Sequence, residues 1–455
     1  MKFLHTSDWH LGVTMQGAAC EEEQQRFLDW LIETIIDGEI DVLLVAGDIF
    51  HREQPPARSL RIYYRFLARC AAETNLEQVV IVGGNHDSPT QLEAPAEILL
   101  AMNVHVVGGL RADEHMWEQC LCPIENPETG EVDAVVVAVP YVQEAKLGII
   151  TTSSTGAEIR RQYTERFTHL YRTLAELAVE RYPNVPLIAT GHLTCESASS
   201  PVERTDFHED IHQVGTISGL PPSIFSEHYD YIALGHIHRM FPIGDSRAWY
   251  CGTPVATSRN ETTTRFVLVA NTNERDESGA LVVEKIKVPR WREVHALKGT
   301  QEEISDAIRS LPQKPELAPY LFIDAEVESI DQSYEVRARF DRLIKETFEE
   351  GHWPRIVECR EYLESARRSH DEERPGGEFL PLKDLSPEEV FSLMFAEADG
   401  GRLPGDDYLV AFRYLLETRQ SQDYDATCAP MFGDDTKNEA REEAQVKAKH
   451  EEEVP

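Results

Sequence analysis

DVLLVAGD, residues 41–48, decides the reading of this chain: five apolar residues, Val42–Ala46, end abruptly in Gly47 and Asp48. A short apolar run bounded by turn residues reads as a buried strand, and strand ends are where α/β sheets collect their binding loops. Four more stretches follow the same plan: KFLHTSDWH (2–10), VVIVGGNHD (79–87), PLIATGH (186–192) and YIALGHIH (231–238). Each delivers Asp, Asn or His directly after an apolar run. They are far apart in sequence, so they meet only if the fold brings them together.

Helical patterns separate the first three runs. Residues 21–37 place Phe27, Leu28, Leu31, Ile32, Ile35 and Ile36 on one face, and residues 57–72 form a second helix. This alternation predicts an α/β core with helices on the sheet faces. Further on, 132–139 reads as a strand and 157–181 as a long helix carrying Ile159, Tyr163, Phe167, Leu170, Leu174 and Leu177. Hairpin-like runs follow at 247–251, 265–270 and 281–288. Residues 1–290 are therefore expected to form one two-layered, sandwich-like α/β domain.

After Pro289 the pattern changes. Residues 291–365 read as a small β-α-β-α-β unit, with helices at 301–310 and 333–349 and strands at 320–327 and 355–359. Polar residues with Pro375, Gly376 and Gly377 mark 366–384 as a linker. Ser386-Pro387-Glu388-Glu389 opens a helix with capping-box chemistry, and 407–419 predicts a second helix with Leu409, Phe412, Leu415 and Leu416 on one face. This pair, within 385–420, has no evident core of its own and needs a partner surface. Residues 421–455 are acidic and mixed in charge, which predicts a disordered tail.

The 455 residues include 80 Asp or Glu and 44 Lys or Arg, for a formal charge of −36. The acidity is spread: −18 over 1–290, −12 over 291–420 and −6 over 421–455. That excludes a basic binder that grips nucleic acid by bulk charge, but not an enzyme whose local field differs in sign. No run of about 18 apolar residues predicts a membrane span, and no leader segment is visible. Eight cysteines, with no paired zinc-site spacing, are read as reduced thiols of a cytoplasmic protein.

The residues at the five strand ends suit one chemistry. Two divalent ions about 4 Å apart can clamp a phosphate and activate a water. Holding them that close requires a bridging carboxylate, with nitrogen and oxygen donors completing each shell. Imidazole with carboxylate suits Mn²⁺, Fe²⁺ or Zn²⁺, whereas Mg²⁺ prefers oxygen and water. The glycines before Asp48, Asn85, His192 and His236 allow close backbone approach. A lone Gly-His is usually a turn with a solvated imidazole; five such clusters at five strand ends are not.

The set resembles the calcineurin-like metallophosphoesterase superfamily. Its flanks are similar to the SbcD-type nuclease subunits of SbcCD complexes: HTSDWHLG at 5–12, VAGDIFHREQPP at 45–56, GNHDS at 84–88, ATGHLT at 189–194 and DYIALGHIHR at 230–239. YCGTP at 250–254, LKG at 297–299 and LSPEEVF at 385–391 carry the likeness over roughly residues 1–420. The resemblance implies a metallophosphoesterase domain (1–290), a small α/β capping domain (291–365) and partner-binding helices (385–420). It implies two Mn²⁺, with Mg²⁺ or another divalent ion as alternatives. Asp8, His10 and His238 would hold one, Asn85, His192 and His236 the other, and Asp48 would bridge them. His86 would be the catalytic histidine, acting on the scissile phosphate and leaving oxygen, with Asp87 orienting its imidazole.

What else the resemblance implies concerns DNA. His51, Arg52 and Arg239 are candidate DNA contacts; for His51 a loop position without chemistry remains the alternative. Arg58 and Arg61 fit a DNA backbone or a solvated helix face equally, and Trp9 and Tyr141 read as packing residues. The implied activity is 3′-to-5′ double-strand exonuclease and hairpin or blocked-end endonuclease. An SbcC-type coiled-coil ATPase is the implied partner, because this chain has no GxxxxGK[ST] phosphate loop. A homodimer within a heterotetramer, acting on double-stranded ends and hairpins away from membranes, completes the expectation. A small-molecule phosphodiesterase or protein phosphatase, and a non-enzymatic scaffold, are the competing readings.

Overall fold

The computed structural model describes residues 1–149, 156–197, 219–244, 247–259, 261, 263–327 and 330–363, together with Phe391, Phe395, Tyr408, Leu409 and Phe412. Val42–Ala46 is a strand with all five residues buried. It pairs in parallel with Lys2–Thr6 on one side and Gln78–Val82 on the other. Val104–Val107 extends this sheet in parallel, and the hairpin Phe266–Arg275 with Leu281–Lys287 extends it antiparallel, giving six strands.

A second six-stranded sheet runs Phe241–Ile243, Ala248–Tyr250, Tyr231–Gly235, Leu187–His192, Val132–Val137, Leu121–Glu125. Ala248–Tyr250 is not a simple hairpin arm; it pairs in parallel with Tyr231–Gly235 and antiparallel with Phe241–Ile243.

The period-two alternation of the strands sorts their side chains into two cores. Val42, Leu44, Val80 and Val82 join Val135, Val137, Leu187 and Leu234, from the other sheet, in one cluster. Leu43, Val45, Val79 and Ile81 face the other way and join Phe27, Leu31, Phe66 and Leu67 of the helices Glu21–Gly38 and Ala57–Glu73. With both faces covered, these strands are apolar throughout rather than alternating. Ile36, expected in the helix stripe, is 48% exposed. At about 100° per residue it falls past Ile32, at the edge of that stripe.

Val294–Thr300, Tyr320–Val327 and Arg355–Leu363 form a three-stranded sheet, with the helices Gln301–Ser310 and Ile330–Thr347 between its strands. Thr300 and Glu303 close a reciprocal capping box on the first helix. Tyr320 and Phe322 pack with Val13, Met15, Ala18 and Cys20, just beyond His10. Arg292 pairs with Glu23, and the Tyr320 hydroxyl donates to the Ala19 carbonyl at 2.7 Å. The small sheet thus rests on the segment that leaves the first strand end.

The chain separates into two compact units, Met1–Ala325 with Ser333–Glu361, and Glu326–Gln332 with Tyr362–Pro455. In the second unit Phe391 stacks on Phe412 with ring centroids 4.2 Å apart, and Phe395 lies 4.8 Å from Tyr408. All four are helical. The expected linker 366–384, most of the helical pair and the tail 421–455 lie outside the described residues. Among the described residues seven cysteines are free thiols, and no helix is long and apolar enough to cross a membrane.

Candidate metal centre

The five polar segments converge. Asp8, His10 and His238 offer ligand atoms all within 4.8 Å of one another, and so do Asp48, His192 and His236. Asp48 Oδ2 stands between the groups, 3.5 Å from His10 Nε2 and 3.3 Å from His192 Nε2. Asn85 Oδ1 completes the second group, 3.0 Å from His192 Nε2 and 2.9 Å from His236 Nδ1. On the other side His10 Nε2 and His238 Nε2 approach to 3.1 Å.

The local backbone is shaped for this convergence. Asp8, His10, Asp48 and His236 all have positive φ, at 53°, 43°, 52° and 93°. Non-glycine residues hold such angles only where surrounding structure enforces them, and they concentrate at functional sites. Here the amides of Asp8 and His10 donate to the carbonyls of Gly47 and Asp48, at 2.9 and 3.0 Å, lacing the first two loops together. Gln24 adds a clamp from the helix, donating to the carbonyls of Trp9 and His10 and accepting from the Gly12 amide. Gly84 could carry no side chain, because a Cβ there would lie 2.0 Å from Asp48 Oδ1.

Burial gives the site a direction. Asp8, His10, Asp48, His192 and His238 are buried, whereas Asn85, His86 and His236 keep partial exposure. The cluster is therefore open to solvent on the Asn85–His86–His236 side.

Charge follows from burial and pairing. Burial pushes the Asp8 carboxyl up to about 6, against the pull of His192 and His238. Burial alone would raise Asp48 too, but His192, His10 and His86 hold it well below the carboxylate range. Burial disfavours protonated His192, yet Asp48 and Asp8 carry it up to about 9. His236 is driven down to about 3 by burial and by His192. A compact set of carboxylate, amide and imidazole donors with an oxygen between two halves fits a pair of divalent ions, which would relieve the carboxylate crowding and displace the imidazole protons.

His86 sits beside the two groups, with its amide donating to Asp48 Oδ1 at 3.0 Å. Its Nδ1 donates to the His51 carbonyl at 2.9 Å, and its ring stacks on that of His51. The expected orientation of this imidazole by Asp87 is corrected by the geometry. The Asp87 carboxylate accepts from the amides of Gly84, Ile49 and Phe50 at 2.8, 3.1 and 2.9 Å. One of those amides lies three residues earlier in the same loop and the other two lie just past Asp48, so Asp87 joins the Asp48 and Asn85 loops by their backbones.

His10, His51 and His86 form a third grouping within 4.8 Å, which the sequence did not foretell. Arg52, next to His51, and Arg239, next to His238, are exposed, and the Arg239 guanidinium lies 4.3 Å over the Phe241 ring. Arg58 pairs with Glu21, and Arg61 is exposed. Trp9 is buried edge-on to Phe27 and Phe66, the packing role expected of it. Tyr141 meets the His192 ring edge-on.

The reading of strand ends missed Glu261 and Gln24. Glu261, buried in the loop before Phe266–Arg275, lies 2.6 Å from His238 Nδ1 through Oε1. Salt-bridged to Arg265 as well, it is held down to about 2 despite its burial. No apolar run precedes it, so nothing local marks it.

The calcineurin-like phosphoesterase family profile matches residues 1–240. The SbcD chain of the SbcCD nuclease from Escherichia coli (strain K12) is 31% identical over 415 residues, which cover 87% of this chain and 93% of that protein. Its counterpart in Rhodobacter capsulatus is 33% identical over 57% of this chain and 64% of its own length. The Bacillus subtilis (strain 168) counterpart is 25% identical over 93% of this chain and all of its own. The chain therefore belongs to the calcineurin-like phosphoesterases, and within them to the SbcD family, as a metal-dependent phosphodiester hydrolase.

Proposed function

We propose that this chain is a Mn²⁺-dependent DNA nuclease that works with an SbcC-type coiled-coil ATPase in DNA end processing, replication and recombination. It degrades double-stranded ends 3′ to 5′ and cuts hairpins and blocked ends. The observation that carries this reading is the placement of Asp48 Oδ2 between His10 and His192, with Asn85 and His238 closing the two sides. Two divalent ions bound there would clamp a phosphate and supply an activated water.

The chain's own residues do the rest. Asp8, His10 and His238 would hold one ion and Asn85, His192 and His236 the other, with Asp48 shared between them. His86, partly exposed beside them, offers a ring nitrogen to the departing 3′-oxygen, as a positioned imidazole can. The His51 carbonyl on its Nδ1 fixes the ring. His51, Arg52 and Arg239 line the approach as DNA contacts. Residues 1–290 act as the nuclease domain, 291–365 as the capping domain and, past the 366–384 linker, 385–420 as the docking element for the ATPase; a homodimer within a heterotetramer assembles around them.

The test is cleavage of end-labelled duplexes and hairpins by the full-length chain with MnCl2, with and without the ATPase partner and ATP. Shortening of duplexes from 3′ ends and hairpin opening are expected. Turnover of cyclic nucleotides or phosphopeptides without DNA cleavage would overturn the proposal in favour of a small-molecule or protein phosphoesterase.

A further inference from the structure

We propose that Glu261 is a positioning residue of the metal centre, which fixes the His238 imidazole with Nε2 turned to the ions. The proposal rests on the two-ion reading above. A neutral imidazole has one donor and one acceptor nitrogen, and its second partner decides which nitrogen is left for a metal. Glu261 Oε1 lies 2.6 Å from His238 Nδ1, so Nδ1 is the donor. That leaves the lone pair on Nε2, the atom 3.1 Å from His10 Nε2 in the group with Asp8.

Glu261 is itself immobilised. Its Oε2 accepts from the Thr257 amide at 2.8 Å and from Arg265 at 3.0 Å, and the Thr257 hydroxyl donates to Oε1 at 3.1 Å. Arg265 also donates to the His238 carbonyl at 3.0 Å and the Glu261 carbonyl at 2.9 Å, so one guanidinium holds both ends of the Glu261–His238 pair. Two residues before Glu261, Arg259 pairs with Asp324 at 2.5 Å and Glu358 at 3.2 Å, in two strands of the small sheet. Arg259 thus ties the segment just before Glu261 to that sheet.

The opposite side of the centre is built differently. His192 donates from Nδ1 to the Ala46 carbonyl at 2.8 Å, a neutral partner inside the main sheet. A carboxylate makes its imidazole a stronger donor to a metal than a carbonyl does. The two ion positions are therefore supported unequally, and only the Asp8–His10–His238 position depends on Glu261.

The test is calorimetric titration of the full-length chain with MnCl2, comparing wild type with Glu261→Gln. Glu261→Gln should fold, with an unchanged near-ultraviolet circular dichroism spectrum, and bind two ions with one affinity lowered about 10- to 100-fold and the other unchanged. Two wild-type affinities in a folded Glu261→Gln would overturn the proposal. Failure of the wild type to bind a pair of ions would instead overturn the two-ion reading. If Glu261→Gln does not fold, nitrogen-15 NMR of the Zn²⁺-loaded wild type decides. His238 with a protonated Nδ1 and a metal-bound Nε2 is expected, and the reverse assignment overturns the proposal.

Discussion

The Asp48 carboxylate faces the His192 imidazole at 3.3 Å, Oδ2 to Nε2, with both side chains withdrawn from solvent. Each sets the other's charge: the imidazole helps to hold Asp48 ionised against its burial, and Asp48 keeps His192 protonated up to about 9. Asp48→Asn removes that support, so burial governs and the His192 pKa falls. Because the imidazole can shed its proton, the fold should lose less than the about 3–5 kcal/mol typical of a broken buried ion pair. Ion binding at both positions should collapse. Urea melts and metal content of the variant check the two halves separately.

The same pair predicts how pH acts on the metal-free chain. An ion must displace the His192 proton, so apparent Mn²⁺ affinity should rise by up to about tenfold per pH unit from neutrality toward 9. Stability moves the other way. Asp8 and Asp87, both pushed up to about 6, bind protons in the folded chain that the unfolded chain releases. Their contribution to metal-free stability therefore falls as pH climbs from about 4 to about 6. The raised His192 adds stability that is complete below about 6.5 and is lost as pH approaches 9. Calorimetry across pH measures the first trend, and urea melts in chelator measure the second.

His86 contacts the two ligand groups without belonging to either proposed ion set. His86→Ala should lower DNA cleavage by about 10²- to 10⁴-fold, the usual range for a lost proton donor, while two ions stay bound. Single-turnover cleavage together with metal content is the measurement. Loss of both ions would show that the ring is a ligand.

Gly84→Ala tests the packing behind the site. A Cβ at 2.0 Å from Asp48 Oδ1 forces the bridging carboxylate or its loop to move. Overpacking of this kind costs about 1–3 kcal/mol, so the chain should still fold. Ion affinity should fall far more than the melting temperature does.

Net charge makes a prediction about grip. With −36 overall, attraction for phosphate is concentrated at the ions and at the few exposed arginines beside them. The isolated chain should bind DNA weakly and lose it as salt rises. Fluorescence anisotropy at several salt concentrations, with and without chelator, measures this; tight binding in chelator would refute it.

Much of this was legible in one dimension. Each of the five strand-end runs is apolar because its strand is covered on both faces, and each ends in ligand-type residues because loops at strand ends carry no packing duty. The Asp, Asn and His residues proposed as donors, and His86 with them, therefore stand at strand ends that can be read from the chain, while their separate roles are what the resemblance implies. Val104–Val107 and Leu121–Glu125 escape such a reading because they are marginal strands at sheet edges, the second interrupted by Pro123, and nothing local marks them apart from loops.

What the sequence by itself determined was the set of candidate ligands, since the chemistry of a metal site is written in residue types and in the runs that precede them. What only the tertiary structure decided was who supports them. Asp87 grips the amides of Gly84, Ile49 and Phe50 rather than an imidazole, and Glu261 comes to His238 from a loop 23 residues on. Such supports need only one hydrogen bond at the right place. Any loop that passes within reach can provide it, so their positions are set by how the sheets close and not by a local pattern.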